Sequence, residues 1–283
     1  MQPVFHEGII EVAGDEPICL QHIFECGQCF RWSPSPRGGY TGVAYGRPTR
    51  VWMEGDRLFL RGTPAEYQQI WRTYFDLDRS YDALTEGFCC NDFMRRAVDY
   101  GRGLRILRQE PWEALASFIV PQCNNIPRIR SILDVFCRLY GEPVELEGET
   151  LHTFPAPKRV AALSLADLTP LRAGYRAQYI LLAAQSVASG GLDLAALQHM
   201  DTEQARAAVQ SLRGVGRKVA DCFLLFGLHK LDAFPVDTWM KKADAFYQPG
   251  GSAAAFGPYA GIAQQYIFYY ARGTKLALPS SGD

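Results

Sequence analysis

The sequence predicts an α+β protein in which an antiparallel N-terminal β-sheet precedes a helical C-terminal region. Three observations lead to this class. Apolar and polar residues alternate up to about Arg61, apolar residues recur at helical spacing from Pro64 to about Tyr270, and neither a repeat nor a low-complexity linker interrupts the chain. We expect two domains, a β-rich one with flanking helices at 1–106 and a helical one with a short tail at 107–283.

The composition is that of a globular chain with a full core and no dominant charge. Its 283 residues are 48% hydrophobic and 21% charged, with a formal net charge of -1. This balance excludes a surface that is cationic throughout, so any contact with nucleic acid has to be local. The N-terminus lacks a signal-peptide pattern and no apolar run approaches the roughly 18 residues of a membrane span. We therefore expect no membrane partner and a cytoplasmic, nucleoid-associated or a nuclear location.

The eight cysteines predict neither a disulfide scaffold nor a metal site. They are too scattered for a disulfide framework in a chain of this length, which favours a reducing compartment. Cys26 and Cys29 have the spacing of half a zinc site, but no second Cys/His pair occurs at a suitable distance. No cluster of four cysteines near the C-terminus could hold an iron–sulfur centre.

Two segments of the N-terminal region predict antiparallel strands. The sequences GGYTGVAYG (38–46) and TRVWMEGDRLFLRG (49–62) alternate apolar and polar residues, and Gly55 with Asp56 supplies the turn of a hairpin. We expect the strand region to begin near Ile18.

The helical region is expected to open directly behind Thr63. Pro64 suits the first position of the helix PAEYQQIWRTYF (64–75), and most of the chain from there to Tyr270 has helical apolar spacing. The last residues, RGTKLALPSSGD (272–283), have little to bury and predict a loose tail.

A glycine-framed turn between two predicted helices is the first functional candidate. The helix DTEQARAAVQSL begins at Asp201, a good N-cap, and the next helix begins near Arg217. Gly214 and Gly216 permit positive φ and the close approach of another backbone, while the exposed N–H groups form an anion cradle suited to a phosphodiester. An ordinary helix–helix turn is the alternative.

Lys218 lies in the first turn of the second helix. The positive end of the helix dipole and the adjacent Arg217 both disfavour its ammonium form. A free amine is a nucleophile that can attack a carbon bearing a leaving group, such as an anomeric C1′. A solvated surface lysine is the alternative.

Two carboxylates and a thiol come after Lys218 closely enough to share a site with it. Asp221 and Cys222 lie three and four residues on, so they share its helix face, and Asp221 is expected to be an ion-pair partner. Asp237 lies two residues after Pro235 and is expected to cap the next helix. A carboxylate placed there can stabilise an oxocarbenium-like sugar and relay protons, although a plain N-cap is the alternative.

Six motifs, in this order, resemble the helix-hairpin-helix, Gly/Pro-rich, aspartate (GPD) superfamily of DNA glycosylases and, within it, the 8-oxoguanine DNA glycosylase/AP lyase family. They are GQCFRW (27–32), FIVPQCNNIPRI (118–129), GYRAQY (174–179), GVGRKVADC (214–222), PVD (235–237) and PYAGIAQQYIF (258–268). The resemblance covers roughly residues 15–270. It implies a TBP-like N-terminal sheet, an all-helical helix-hairpin-helix catalytic domain and a lesion pocket between subdomains.

The resemblance also implies roles for individual residues. Lys218 matches the Schiff-base nucleophile and Asp237 the catalytic carboxylate. A fixed carbonyl at the position of Gly27 attracts the N7–H of 8-oxoguanine and repels the N7 lone pair of guanine. The remaining lesion-pocket residues are Pro235, Cys222 and Phe268, the last two as the faces of a sandwich, and Gln264, which pairs with the Watson–Crick edge.

Two further groups of residues match DNA-contacting positions of the family. The opposite-cytosine and gap-filling group is Asn124, Asn125, Arg128, Tyr175 and Arg176, whose donors and ring suit the cytosine acceptors and the gap in the stack. The phosphate-binding group is Gly214, Val215, Gly216 and Trp239. For the first group, a polar helix break and solvated arginines are the alternatives.

Three positions depart from the pattern of the family. Cys123 replaces the first of three consecutive asparagines, and Arg213 replaces a proline common in the hairpin. Trp239 stands where a histidine of other members contacts the phosphate 5′ to the lesion, and an indole has one donor and no charge. These departures affect DNA affinity and opposite-base selectivity rather than the reaction class.

The sequence therefore predicts an enzyme that excises 8-oxoguanine, preferentially opposite cytosine, and cleaves the strand by β-elimination. We expect a monomer whose partner is double-stranded DNA containing 8-oxoguanine. No cofactor is expected to be required, and a monovalent cation at the hairpin stays an open alternative. The other candidate functions are the same fold acting on an alkylated purine or a mismatched pyrimidine, and a non-catalytic DNA-binding module.

Overall fold

A computed structural model describes residues 2–14, 16–120, 125–247 and 253–276. The strands are β1 (Gln2–His6), β2 (Ile9–Ala13), β3 (Trp32–Pro34), β4 (Tyr40–Ala44), β5 (Arg47–Glu54), β6 (Arg57–Arg61), β7 (Pro143–Leu146) and β8 (Glu149–His152). The helices are α1 (Leu20–Glu25), α2 (Pro64–Glu66), α3 (Arg72–Tyr74), α4 (Tyr81–Phe88), α5 (Asp92–Tyr100), α6 (Pro111–Ile119), α7 (Ile126–Tyr140), α8 (Pro157–Ala161), α9 (Arg176–Ala188), α10 (Leu194–His199), α11 (Thr202–Gln210), α12 (Arg217–Phe226), α13 (Thr238–Tyr247) and α14 (Ala260–Thr274). The predicted α+β class, with its antiparallel N-terminal sheet, is confirmed. Across the described ranges no helix is both long and apolar enough to cross a membrane.

The N-terminal sheet has six antiparallel strands in the order β1-β2-β6-β5-β4-β3. The predicted hairpin is confirmed, since Glu54 pairs with Arg57 across the turn. The expected start near Ile18 is wrong, because β1 and β2 precede that point and α1 comes after it. Alternation in β2, where Ile10 and Val12 are buried, is the signal that would have located the first hairpin.

The helical segment behind Thr63 is also confirmed, including its cap. The Thr63 hydroxyl accepts from the Glu66 N–H at 3.2 Å, and the Glu66 carboxylate accepts from the Thr63 N–H at 2.9 Å. This reciprocal pair is a capping box, which satisfies two N–H groups at the start of the helix. The residues between α2 and α3, Tyr67–Trp71, form a π-helical turn.

The hairpin of β7 and β8 lies within the region that was predicted to be largely helical, and sequence reasoning missed it. Glu147 and Gly148 take positive φ angles of 51° and 85° at its turn, a conformation that a helix excludes. The Glu147 carboxylate forms ion pairs of 2.8 Å with Arg50 and with Arg61 of the sheet. These two arginines lower the pKa of Glu147. The hairpin thus attaches the helical region to the sheet.

Packing does not divide the chain at a single position. One hydrophobic cluster lies on the sheet and includes Trp32, Trp71 and Leu107. The other fills the helical region and also takes in α4 and α5. The domain boundary between residues 106 and 107 therefore stays a prediction.

The expected loose tail begins later than predicted. Helix α14 continues through Arg272 to Thr274 and ends at Lys275, which takes a positive φ of 52°. Residues 277–283 lie outside the described ranges.

A partly buried ion pair joins the GQCFRW segment to α6. Arg31 donates to Glu113 at 2.9 Å and also bonds the carbonyl of His152 on β8. Glu110, at the N-cap of α6, is the neighbouring carboxyl. Burial, and then repulsion from Glu113, raise the pKa of Glu110 to about 7.

Replacing Glu110 by Gln tests this electrostatic environment. Between pH 4.5 and about 7 the carboxyl of Glu110 stays protonated in the folded chain and is ionised in the unfolded chain. The free energy of unfolding of the wild type therefore falls as the pH rises through that window. The difference in unfolding free energy between Glu110→Gln and wild type should therefore shift in favour of the variant by on the order of 1–3 kcal/mol from pH 5 to pH 8. Urea unfolding of both proteins at the two pH values measures the gain. A difference that does not change with pH would contradict the assignment.

Candidate active site

The predicted pair of helices around the glycine turn is confirmed. Asp201 caps α11 by accepting from the Gln204 N–H at 2.8 Å, and α12 begins at Arg217. Gly214 has a φ of 88°, and a Cβ there would lie 2.2 Å from the ring of Tyr179. Only glycine therefore fits at this position.

The expectation for Gly216 is corrected. Its φ is -83°, and a Cβ built on it would meet nothing within 4 Å. Of the two glycines, Gly214 takes positive φ. The group that packs closely against it is the side chain of Tyr179, whereas a backbone was expected there.

The amides of the turn are not equivalent as phosphate donors. The N–H of Val215 donates to the carbonyl of Leu212 at 3.1 Å, so the turn itself uses it. Gly216 is exposed, and the N–H groups that open a helix have no acceptor within it. Phosphate binding by the hairpin stays a prediction, which the geometry favours at Gly216 and the start of α12.

Lys218 lines two adjoining cavities together with Asp237. The inner cavity has a volume of about 50 Å³ and is lined by Gly27, Phe118, Lys218, Cys222, Phe226, Pro235, Asp237, Gln264, Gln265 and Phe268. The outer cavity, of about 480 Å³, is lined by Gly27, Phe30, Phe118, Ile126, Ile129, Lys218, Val219, Val236, Asp237, Thr238, Lys241, Phe268 and Arg272. The structure thus brings both predicted catalytic residues and the five predicted lesion-pocket residues to one place.

The surroundings of Lys218 are partly apolar. Its Nζ atom lies 5.8 Å from the centre of the Phe118 ring. Cys222 lies one helical turn further on and is buried. Burial raises the pKa of the Cys222 thiol, and the neighbouring Lys218 opposes that shift. The thiol therefore stays neutral and can serve as an apolar wall beside the amine.

Asp237 caps α13, as predicted. Its Oδ1 atom accepts from the Met240 N–H at 2.9 Å, and its carbonyl accepts from the Lys241 N–H at 3.0 Å. The cap holds the carboxylate through Oδ1, which leaves Oδ2 as the atom that can face a substrate. The cap and the proposed chemistry are therefore compatible.

Asp221 is an ion-pair partner, but not of Lys218. Its carboxylate accepts from Arg206 of α11 at 2.5 Å and lies 3.7 Å from Arg217. The bond to Arg206 joins the two helices of the hairpin. Asp237 is consequently the carboxylate that shares the cavities with Lys218.

A buried amide network, which sequence reasoning missed, holds the loop of Gly27. Gln28 is fully buried; it donates to the carbonyls of Ile23 and Arg105 at 2.9 and 2.8 Å. Its Oε1 accepts from the Leu107 N–H at 2.8 Å. The signal was an amide side chain in an apolar motif, because a buried amide has to be hydrogen-bonded.

Two more glutamines connect this loop to the helices. Gln265 donates to the carbonyl of Cys26 at 3.2 Å. Gln109 donates through its side chain to the carbonyl of Gln28 at 2.6 Å, and through its backbone N–H to the carbonyl of Phe226 at 2.9 Å. Because Phe226 ends α12, Gln109 links the Gly27 loop to the helix that carries Lys218.

Arg272, assigned by the sequence to the loose tail, lies at the mouth of the site. Its Nη2 atom donates to the carbonyl of Glu25 at 2.5 Å, and its guanidinium carbon lies 5.2 Å from the centre of the Phe268 ring. A Cβ on Gly27, whose φ is 94°, would come within 3.0 Å of Nη1. Arg272 thus packs against both the Gly27 loop and the ring of Phe268.

Gln264 presents an unused acceptor in the inner cavity. The residue is 4% exposed, and its Oε1 atom is buried with no hydrogen-bond partner among the described residues. A buried acceptor without a partner is costly unless a ligand satisfies it. This observation fits the predicted contact with the edge of a base.

The predicted opposite-cytosine residues that the structure describes lie in two places, at the start of α7 and at the start of α9. Asn125 caps α7 by accepting from the Arg128 N–H at 3.0 Å, and Arg128 is exposed and donates to the Arg172 carbonyl at 3.1 Å. Tyr175 is 53% exposed, and the buried guanidinium of Arg176 lies 4.4 Å from its ring centre. Arg176 is therefore not a solvated charge. Asn124 and Cys123 lie outside the described residues.

Trp239 lies in a different environment from the one predicted for a phosphate ligand. It packs against the helical core, and the ammonium of Lys242 lies 4.8 Å from its ring centre. It is not among the described residues that line the two cavities. Its phosphate contact stays a prediction.

Comparison with known proteins identifies the family of this chain. The model of the 8-oxoguanine DNA glycosylase N-terminal domain matches residues 10–115. A probable N-glycosylase/DNA lyase of Methanothermobacter thermautotrophicus is 31% identical over 240 residues, which are 74% of this chain and 75% of the relative. The chain belongs to the 8-oxoguanine DNA glycosylase family.

Solved structures of family members share the whole fold. MBOgg1 in complex with a low affinity DNA ligand is 36% identical with a TM-score of 0.93, over 97% of this chain and 99% of that one. The Clostridium acetobutylicum 8-oxoguanine glycosylase/lyase, in complex with double-stranded DNA containing cytosine opposite 8-oxoguanine, is 32% identical with a TM-score of 0.91, over 98% and 99%.

Alanine at the two hairpin glycines tests the geometry of the turn. Gly214→Ala forces a Cβ into the Tyr179 ring at positive φ, so we expect a loss of at least about 2 kcal/mol in unfolding free energy. Gly216→Ala is the matched control and should lose less than about 1 kcal/mol, since a helix N-cap at ordinary φ accepts alanine at a small cost. Urea unfolding compares the two. Equal losses would contradict the requirement for glycine at residue 214.

Proposed function

We propose that this chain is a bifunctional repair enzyme that excises 8-oxoguanine from duplex DNA, with a preference for cytosine opposite, and nicks the strand through an imine on Lys218. The observation that carries the proposal is the shared cavity of Lys218, Asp237, Gly27 and Gln264. The amine, the carboxylate, a fixed carbonyl and an unpaired amide oxygen are the groups that such a reaction needs.

The lesion is recognised by hydrogen-bond polarity at one edge of the base. The loop that carries the Gly27 carbonyl is held by the buried Gln28 and Gln265, so the carbonyl cannot turn away from an approaching base. A fixed acceptor binds the N7–H of 8-oxoguanine and repels the N7 lone pair of guanine. Gln264 then satisfies its Oε1 atom with a donor on the Watson–Crick edge.

Entry of the base requires a wall of the site to move. The inner cavity of about 50 Å³ is smaller than the roughly 300 Å³ at which ordinary ligand pockets begin. Phe268 lines both cavities and is only partly buried. Displacement of its ring lets a base enter from the outer cavity and stack between Phe268 and Cys222.

The reaction joins nucleophilic and electrostatic catalysis. The Nζ atom of Lys218 attacks C1′, the bond from C1′ to the base breaks, and the electron pair leaves with the base, which takes up a proton. Asp237 stabilises the positive charge that develops on the sugar. The nitrogen then loses a proton, the C1′–O4′ bond breaks as the C=N bond forms, and O4′ takes up a proton, which gives a protonated imine. Removal of a C2′ proton then expels the 3′ phosphate and cuts the strand.

The estranged cytosine is held by cationic and aromatic groups on the surface. Arg128 is exposed, and its backbone is fixed by the Asn125 cap. Tyr175 projects with more than half of its surface exposed, supported by Arg176 beneath its ring. The arginines offer donors to the cytosine acceptors, and the tyrosine fills the gap.

The proposal also includes the oligomeric state, the location and the cofactor requirement of the enzyme. It acts as a monomer on double-stranded DNA, in the cytoplasm at the nucleoid or in the nucleus, and requires no cofactor or metal. A monovalent cation at the hairpin carbonyls is an open alternative. An alkylated purine lacks the N7–H that the Gly27 carbonyl selects. A non-catalytic module would not need Lys218 in a cavity with Asp237.

Replacing Lys218 by Gln tests the nucleophile. Borohydride reduces an imine, so the wild type should become covalently attached to an 8-oxoguanine:cytosine duplex and Lys218→Gln should not. Binding of the variant to the same duplex should stay within about tenfold, or roughly 1.4 kcal/mol. Lys242→Gln, which changes a lysine outside the described cavity linings, is the control and should be trapped. Persistent trapping of Lys218→Gln would place the nucleophile elsewhere.

Replacing Arg128 by Ala tests the reading of the opposite base. We expect the ratio of excision opposite cytosine to excision opposite adenine to fall about tenfold, because a lost donor pair is worth on the order of 1–3 kcal/mol. Single-turnover excision opposite each of the four bases measures the ratio. Arg138→Ala, on the exposed far end of α7, is the control and should keep the wild-type ratio. An unchanged ratio in Arg128→Ala would refute the role.

A further inference from the structure

The outer cavity contains positive charge that the proposed chemistry does not use. Besides the proposed nucleophile Lys218, its described lining has two basic side chains, Lys241 and Arg272, against one carboxylate, Asp237. The whole chain has a formal charge of -1. A local excess of this kind in a cavity points to an anion.

Arg272 already uses part of its hydrogen-bonding capacity within the protein. Its Nη2 atom is bound to the Glu25 carbonyl, while Nη1 is buried without a hydrogen-bond partner among the described residues. It therefore contributes charge to the cavity while its position is fixed by the loop that it supports.

Lys241 is the free cation of this set. It lies in the first turn of α13, shortly after Asp237, and it is exposed. No carboxylate of the described residues lies within ion-pair distance of its ammonium. The first turn of α13 adds the positive end of a ten-residue helix to the same place.

Trp239 does not supply positive charge to this cavity. The indole has one donor and no charge, and its ring packs on the core beneath the ammonium of Lys242. Lys241 lies two residues on and, unlike Trp239, lines the cavity that holds Lys218 and Asp237. Lys241 is thus the positively charged residue by which this turn of α13 lines the cavity.

We propose that Lys241 binds the phosphate on the 5′ side of the extruded nucleotide. This inference rests on the proposed function, since it places a deoxyribose at Lys218. A charged ammonium held beside that phosphate fixes the sugar with C1′ toward the amine. The contact is made by a point charge on an exposed side chain, so its contribution to binding should depend on salt.

The test measures binding to a duplex in which a tetrahydrofuran nucleotide replaces the lesion opposite cytosine. Lys241→Ala should weaken binding about 5- to 10-fold and lower the slope of log K against log salt by about 0.9, the value of one phosphate contact. Lys242→Ala, its neighbour of equal charge outside the described cavity linings, should stay within about twofold at constant slope.

A neutral methylphosphonate locates the contact. Placed 5′ to the tetrahydrofuran nucleotide, it should weaken the wild type by the same factor as Lys241→Ala, and it should weaken Lys241→Ala little further, because the pair is already broken. Placed on the 3′ side, it should affect both proteins equally. An unchanged slope in Lys241→Ala, or additive losses at the 5′ position, would overturn the proposal.

Excision of 8-oxoguanine by the wild type, measured in parallel, separates the two proposals. If the wild type excises the base and Lys241→Ala binds like Lys242→Ala, the phosphate contact is refuted and the function stands. If the wild type neither excises the base nor is trapped by borohydride, the proposed function fails whatever the slope of Lys241→Ala.

Discussion

The hydrogen bonds of Gln109 are the constraint on which the active site depends. The side chain binds the carbonyl of Gln28 at 2.6 Å, and the backbone N–H binds that of Phe226 at 2.9 Å. One end of this link is the loop with the Gly27 carbonyl, proposed to read the lesion, and the other is the helix with Lys218, the proposed nucleophile. A catalytic group has to be positioned to within a fraction of an ångström, and a buried amide network supplies that rigidity.

Local sequence signals predicted the parts of the site that a helix terminus defines. Asp201 and Asp237 are N-caps, and Lys218 lies in the first turn of α12, because capping and helix starts depend on neighbouring residues. The antiparallel class could be predicted from alternation and from the turn at Gly55 for the same reason. The family resemblance supplied the roles of Gly27 and Gln264, which spacing alone did not indicate.

The features that were missed depend on contacts between distant segments. The β7–β8 hairpin is held by Glu147 against arginines nearly a hundred residues earlier, and Arg272 finds its partner on α1. Single-sequence reasoning has no access to such pairings, since each partner alone is an ordinary polar residue. Both glycines of the hairpin were expected to permit positive φ, but Gly214 takes it and Gly216 does not, because a G-x-G pattern does not reveal which glycine faces a ring.

The central claim is that one amine, that of Lys218, reaches the deoxyribose. The most direct measurement is mass spectrometry of peptides from the wild-type protein after borohydride reduction on an 8-oxoguanine:cytosine duplex. The account predicts that the sugar remnant is attached to the peptide containing Lys218. Attachment to the N-terminus or to another lysine, Lys241 included, would contradict it.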